Sequence, residues 1–393
     1  MSTQIGFSSK QHYVLVTNGD SYAGHSLAYH LAQELYNRPG QLKKHWRVRV
    51  ICSRRENCRD LEGLNAEVIE MPDVAGPQLD MCMKHVKFMA LVPNMTERRL
   101  QIAEEMMQAA QKHGIKRILL VSSLAAPYAE RQGSPLSEYK RIEELIREKF
   151  AYGRWCIFRI PFTQQTLYYW SHMVEERGML AMPLPSEVAL QTVHMHDLCD
   201  AVATLILSPR KQENPLKRPS HHDNEEDDGE GEVDIPEQSL KRIYELTSAC
   251  PYTGRDMARK LAEALGAQEE DIQYAEISCE ELKEYLEQAA REEDQPRKSW
   301  LARATELVIS DSTQPDLIGH PDRPALRPRP RRYLTPVFIE FLMDWFDTAK
   351  RVPLDKTTDD LRELTGREPI DLAQFFVDNS KEFHRPHDGD CHM

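Results

Sequence analysis

Residues 12–35 read HYVLVTNGDSYAGHSLAYHLAQEL, and no other stretch restricts the fold so tightly. A short apolar run, Tyr13 to Val16, is followed at once by a polar loop carrying Gly19 and Gly24. A helix-period pattern then begins, with Ala23, Leu27, His30, Leu31 and Leu35 on one face. Apolar alternation that switches to a 3.6-residue period across a tight turn predicts a strand, a turn and a helix. Backbone N–H groups at such a helix N-terminus form an anion site, and doubly wound sheets seat dinucleotide pyrophosphates there.

The rest of the chain repeats the alternation. Strand-like runs at 48–52, 66–69, 86–92, 117–122 and 155–159 are separated by helical patterns, clearest at 97–113 and 137–149. This order predicts an α/β fold, a doubly wound parallel sheet with helices on both faces. Regular pattern resumes after residue 240 with strands at 243–246 and 272–277 and helices at 253–265, 279–291 and 336–350, a smaller C-terminal α+β part. The expected organisation is a core over 11–208, an insertion over 209–240, the C-terminal part over 241–380 and a tail over 381–393. The whole 209–240 insertion, with eight acids in residues 223–234 (DNEEDDGEGEVD), holds too little apolar surface to offset ordering entropy and is expected to be disordered.

Composition narrows the function classes. A formal net charge of −13 argues against direct nucleic-acid binding, because phosphate contacts are made by Lys and Arg. No run approaches the roughly 20 apolar residues of a membrane span. The eight cysteines form no CxxC pair, so the expectation is free thiols in a reducing compartment, cytoplasmic, with the basic pieces Lys217-Arg218 and 327–332 (RPRPRR) readable as nuclear-import signals or as solvated charge. His194 and His196 read as alternating on a strand, which gives no shared metal site; His221, His222, His384, His387, His392 and Cys391 fall in the insertion and tail. Asp197 reads as the N-cap of a helix starting at Leu198.

Seven segments in order resemble the NmrA-like family of atypical short-chain dehydrogenases. VTNGDSYAG stands where the family has TGATGxxG. AAQKHGIKRILLVSSLAA (109–126), SEYKRIEELIREKF (137–150), WCIFRIPF (155–162), QTVHMHDLCDAVATLIL (191–207), YELTSACPYTGRDMARKLAEALG (244–266) and DLRELTGREPIDLAQFFVDN (360–379) follow. The resemblance implies a Rossmann-like NAD(P) site on Asn18, Gly19, Asp20, Ser21, Tyr22 and Gly24, with Pro93, Ser122 and Lys140 beside it. Asn18 can hold a left-handed turn in place of glycine, whereas Ser21 in place of the middle glycine would crowd a pyrophosphate. Arg54 and Arg55 after the second strand favour NADP, Arg54 first as 2′-phosphate partner; two solvated arginines are the alternative reading.

Catalysis is less well provided for. The tyrosine of YxxxK is replaced by Leu136, which has no proton to give, and Tyr139 lies on another helix face from Lys140. Lys140 stands as a candidate proton donor of the isoflavone-reductase kind, as a ribose contact, or as a partner of Glu143 or Glu144. The expected function is a nucleotide-linked regulator acting through a protein partner such as a transcription factor. An NADPH-dependent reductase with substrate beside residues 162–169, and a nucleotide-free scaffold, are the alternatives.

Overall fold

The computed structural model describes residues 11–37, 45–74, 76–151, 153–207, 235–292 and 330–383. The acidic stretch 223–234, the 217–218 basic pair, His221, His222 and the tail histidines lie outside these residues; the end of the expected disordered insertion, 235–240, is instead ordered, with Ile235 buried in the core and a helical turn at Glu237–Ser239.

Seven strands form one parallel sheet: β1 (His12–Val16), β2 (Trp46–Cys52), β3 (Glu67–Glu70), β4 (Val86–Leu91), β5 (Arg117–Ser123), β6 (Arg154–Ile160) and β7 (Arg242–Glu245). Across the sheet they run β7-β6-β5-β4-β1-β2-β3, every neighbouring pair parallel. The chain thus winds outward in both directions from β1 and β4. The cleft between those strands' C-terminal ends is where doubly wound sheets bind ligands.

Period-two alternation sorts side chains to the two faces. Val14, Val16, Phe88, Ala90, Leu119 and Val121 share one core with Leu27 and Leu31 of α1 (Tyr22–Asn37) and with the apolar face of a later helix, Met195–Leu207. Tyr13, Leu15, Met89, Leu91, Ile118 and Leu120 face the other way. They pack on α2 (Gly76–Cys82), α3 (Arg99–Lys112) and α4 (Pro135–Lys149). Each such fully buried aliphatic side chain stabilises the fold by about 1.5–3 kcal/mol.

α4 starts two residues earlier than its periodicity suggests, because Ser134 caps it and Pro135 suits the first helical position. The Met195–Leu207 helix, α5, also begins early. Its first turn is capped by the His194 ring, whose Nδ1 accepts from the His196 amide at 3.1 Å. The expectation of a capping Asp197 and a strand carrying His194 and His196 is therefore corrected: the strand ends at Val193, and His196 and Asp197 are helical.

A second core lies beyond the C-terminal ends of β5 and β6. It gathers α6 (Gly254–Leu265), α7 (Cys279–Glu292) and α8 (Pro336–Arg351) around Trp170, Trp345 and Phe346. The 272–277 run pairs as Gln273–Glu276 with Met179–Met182, outside the main sheet. α8 is tied to α4 by the buried Asp344, which accepts from the Leu136 amide at 2.9 Å.

Candidate functional site

The turn after β1 keeps its shape by short-range bonds. Asn18 adopts φ 55°, the left-handed conformation expected of it, and its side-chain amide donates to Pro93 O at 2.8 Å. Thr17 Oγ1 donates to Val92 O at 2.9 Å, so the ends of β1 and β4 are stapled under the loop. Gly24 has no room for a side chain: a Cβ there would lie 2.1 Å from Asn18 O. Gly19 is needed for the same reason, since a Cβ would lie 2.5 Å from Val50 Cγ1.

Ser21 does not stand where the glycine comparison put it. Its hydroxyl is folded back, donating to Asn18 O at 2.9 Å and accepting from the Gly24 amide at 3.0 Å. It caps the N-terminus of α1, so its hydroxyl is spent on the turn itself while the residue still lines the cavity above the loop.

Asp20 is the residue whose role the sequence concealed. Its carboxylate reaches across to the end of β2, accepting from the amides of Ser53 and, at 3.3 Å, of Arg54, and from Asn57 Nδ2 at 3.1 Å. NAD sites hold a carboxylate at the end of β2 to receive ribose hydroxyls. Here the loop supplies one. Arg54 lines the same space, whereas Arg55 is drawn away by Glu62, with Nη2 at 2.6 Å from its Oε1.

Above the loop lies a cavity of about 500 Å³ that runs from Asn18, Asp20, Ser21 and Tyr22 to an aromatic chamber. The chamber is walled by Tyr139, Phe162 and Tyr169 and by Phe338, Phe341 and Trp345 of α8, with Phe162 and Trp345 ring centres 5.6 Å apart. Over the loop the cavity is closed by Arg332 and Tyr333, just ahead of α8. Arg332 donates to Asn57 O, and Tyr333 packs edge-on against Tyr22 at 5.5 Å. Burial pushes the Tyr22 and Tyr333 hydroxyls upward.

The candidate residues thus divide. Asn18, Asp20, Ser21, Tyr22, Arg54 and Ser122 line the cavity; Gly19, Gly24 and Pro93 shape the loop from beneath; Arg55 and Lys140 do not line it. Ser122 donates to Glu143 Oε1 at 2.8 Å. Glu143 is buried and is held by Arg159 at 2.7 and 3.0 Å and by Arg147 at 3.1 Å, while Glu144 takes Arg141 at 3.0 Å. The two acids expected beside Lys140 are engaged by arginines. Tyr139, not Lys140, faces the cavity, and burial pushes its hydroxyl up to about 12 despite Arg99 nearby. Among the described residues the lining has neither lysine nor histidine.

The 332–345 wall was missed by motif reading. Its signal was the apolar stripe Phe338, Phe341, Leu342 and Trp345, three of them aromatic.

No family model and no curated protein sequence matches this chain. Solved structures do. An NADPH-dependent quinone oxidoreductase from Escherichia coli, solved with NADPH, has TM-score 0.61 at 14% identity, covering 93% of this chain and 99% of that one. The triphenylmethane reductase of a Citrobacter species, complexed with NADP(H), has TM-score 0.59 at 16% identity, again over 93% and 99%. NmrA, a negative transcriptional regulator in complex with NADP, has TM-score 0.56 at 12% identity over 94% and 95%. These likenesses show a shared fold: the Rossmann-like sheet with an added C-terminal lobe.

Proposed function

We propose that this chain is a member of the NmrA-like family that binds an NAD(P) dinucleotide along the cavity and uses it to regulate a protein partner. The observation that carries the reading is the turn after β1, held left-handed at Asn18, beneath a cavity that runs from the N-terminus of α1 to the aromatic chamber. The residues fit a dinucleotide. α1 presents its N-terminus to the cavity, the Ser21 hydroxyl is spent on the turn, Asp20 stands ready for ribose hydroxyls, and Gly24 lets the helix approach the end of β1. A bound nicotinamide dinucleotide would supply hydride chemistry; the chain's own contribution is to position it and exclude water with the aromatic wall.

Coupling to a partner runs through Arg332 and Tyr333. They rest on Asn57 and Tyr22, so a nucleotide seated on the loop must either displace them or be clamped by them. Either outcome links nucleotide occupancy to the position of the segment leading into α8, and a ligand that distinguishes two such states shifts their populations. A transcription factor is the partner class this reading favours, acting through protein contact, since the chain's net charge is −13.

A reductase is the second reading, favoured by one observation. A chamber walled by Phe162, Phe338, Phe341 and Trp345 suits a flat apolar acceptor such as a quinone. Calorimetric titration with NAD, NADH, NADP and NADPH tests both readings, and failure of all four to bind would leave only the scaffold. Consumption of NADPH absorbance on adding quinones would turn the choice to the reductase. Lys140→Ala is expected to leave any such turnover unchanged.

A further inference from the structure

α1 and α5 pack side by side on one face of the sheet, and three metal-ligand types meet between them. His30 projects from α1; His196 and Asp200 stand one turn apart on α5. His30 Nε2 lies 3.0 Å from Asp200 Oδ1 and His196 Nε2 lies 3.4 Å from Asp200 Oδ2. The three donor groups all fall within 4.8 Å of one another, and the two imidazole rings meet edge to face at 5.4 Å. A four-coordinate ion with bonds of about 2.1 Å holds its ligands roughly 3.4 Å apart. Two of the contacts lie near that spacing, and because they reach the two different oxygens of Asp200, one ion would take the carboxylate through both oxygens or with a small turn of it.

We propose that His30, His196 and Asp200 form a binding site for a borderline divalent transition ion of the Zn²⁺ class, a clasp between α1 and α5. The donor set selects the ion. Two imidazoles and one carboxylate suit Zn²⁺ or Co²⁺, whereas Mg²⁺ and Ca²⁺ call for oxygen ligands. Exposure fits a site with one open position: the side chains are 7%, 21% and 24% accessible for His30, His196 and Asp200, so water completes the coordination from the α5 side.

The surroundings hold the carboxylate in place. Arg367 donates to Asp200 Oδ2 and, at 2.7 Å, pairs with Asp197 Oδ1, while the Ile370 amide donates to Asp197 Oδ2 at 2.8 Å. Outer partners of this kind orient ligating carboxylates in metal sites. With both carboxylates ionised and both imidazoles neutral, the two aspartates and one arginine leave a net charge of −1. A dication is therefore drawn in despite the guanidinium.

The clasp has a consequence for the cavity. α1 begins at the nucleotide loop and α5 begins at Met195, which lines the aromatic chamber. An ion between them fixes the two walls relative to each other. The proposal does not depend on nucleotide binding.

The test uses the full chain stripped with a chelator and then titrated with Co²⁺, followed by its visible absorption and by thermal melting. One equivalent is expected to give the visible bands of four-coordinate Co²⁺, to be displaced by Zn²⁺, and to raise the melting temperature. His196→Gln and Asp200→Asn should each weaken binding at least tenfold and abolish the thermal shift; far-ultraviolet circular dichroism checks that each variant is folded. His172→Gln, and the triple change of His384, His387 and His392 to Gln, should leave both signals intact. Absence of the bands, their survival in folded His196→Gln and Asp200→Asn, or their loss on changing only the tail histidines would each overturn the proposal.

Discussion

Replacing Asp20 by Asn should raise the affinity for NADP relative to NAD by roughly 30-fold. The Asp20 carboxylate occupies the amides of Ser53 and Arg54, the donors at the end of β2 nearest an adenosine ribose. A 2′-phosphate bound to those amides would share its donors with the carboxylate, and at about 4 Å unit charges repel by about 1 kcal/mol in water and about 4 kcal/mol at an effective dielectric of 20. The phosphate carries more than one charge, but Arg54 and Arg332 stand at the same opening and offset part of it. The net penalty is about 2 kcal/mol, near a 30-fold change in dissociation constant. Paired calorimetric titrations of wild type and Asp20→Asn, at two salt concentrations, measure the ratio. A ratio within twofold of wild type would refute the electrostatic argument, and a shift insensitive to salt would point to shape instead.

Gly24→Ala should cost about 2–3 kcal/mol in urea unfolding, since the added methyl meets only backbone atoms at the end of β1 and α1 must shift to admit it. Glu143→Ala should cost about 3 kcal/mol by the same measurement, because it leaves the Arg159 guanidinium only the longer pair with Glu245 at 3.5 Å; a loss under 1 kcal/mol would mean that Glu245 and water replace the carboxylate. Asp60 gives a pH test. Burial alone would raise its pKa, but the His25 hydrogen bond and the Arg332 charge outweigh burial and hold it below the usual carboxylate value. A depressed folded-state pKa adds stability above the unfolded value, near 3.9, that is lost as pH falls through the folded one. Asp60→Asn should therefore be less stable than wild type at neutral pH, with the gap closing as pH falls below the ordinary carboxylate range and through the lowered folded-state value; a gap independent of pH would assign the loss to packing.

The sheet was legible because parallel strands buried on both faces are apolar runs, and each β–α repeat announced itself by a change of period. Boundaries slipped where a cap lay outside the periodic stretch, as with Ser134 and His194. The loop was half legible. Asn18 was assigned its left-handed turn correctly because that is a local preference, but the cap made by Ser21 and the reach of Asp20 to the end of β2 were not legible because their bonds close over three and over more than thirty residues. No local pattern shows that a carboxylate two positions after Asn18 caps the end of β2. The cluster of His30, His196 and Asp200 was invisible for the same reason: it exists only once α1 and α5 pack together.

The closing wall of the cavity has a bearing on how the chain matures. Phe162 and Tyr169 are synthesised long before Phe338, Phe341 and Trp345, and at about 5–20 residues per second the interval is roughly 10–35 seconds. Through that time the sheet can form, but its C-terminal edge presents an aromatic half-chamber with no lid. A nascent chain then exposes apolar surface at the place that later becomes the closed cavity, and a dinucleotide or a chaperone meeting it early would find the loop without Arg332 and Tyr333 across it. Translation stopped before residue 330 would leave that surface permanently open.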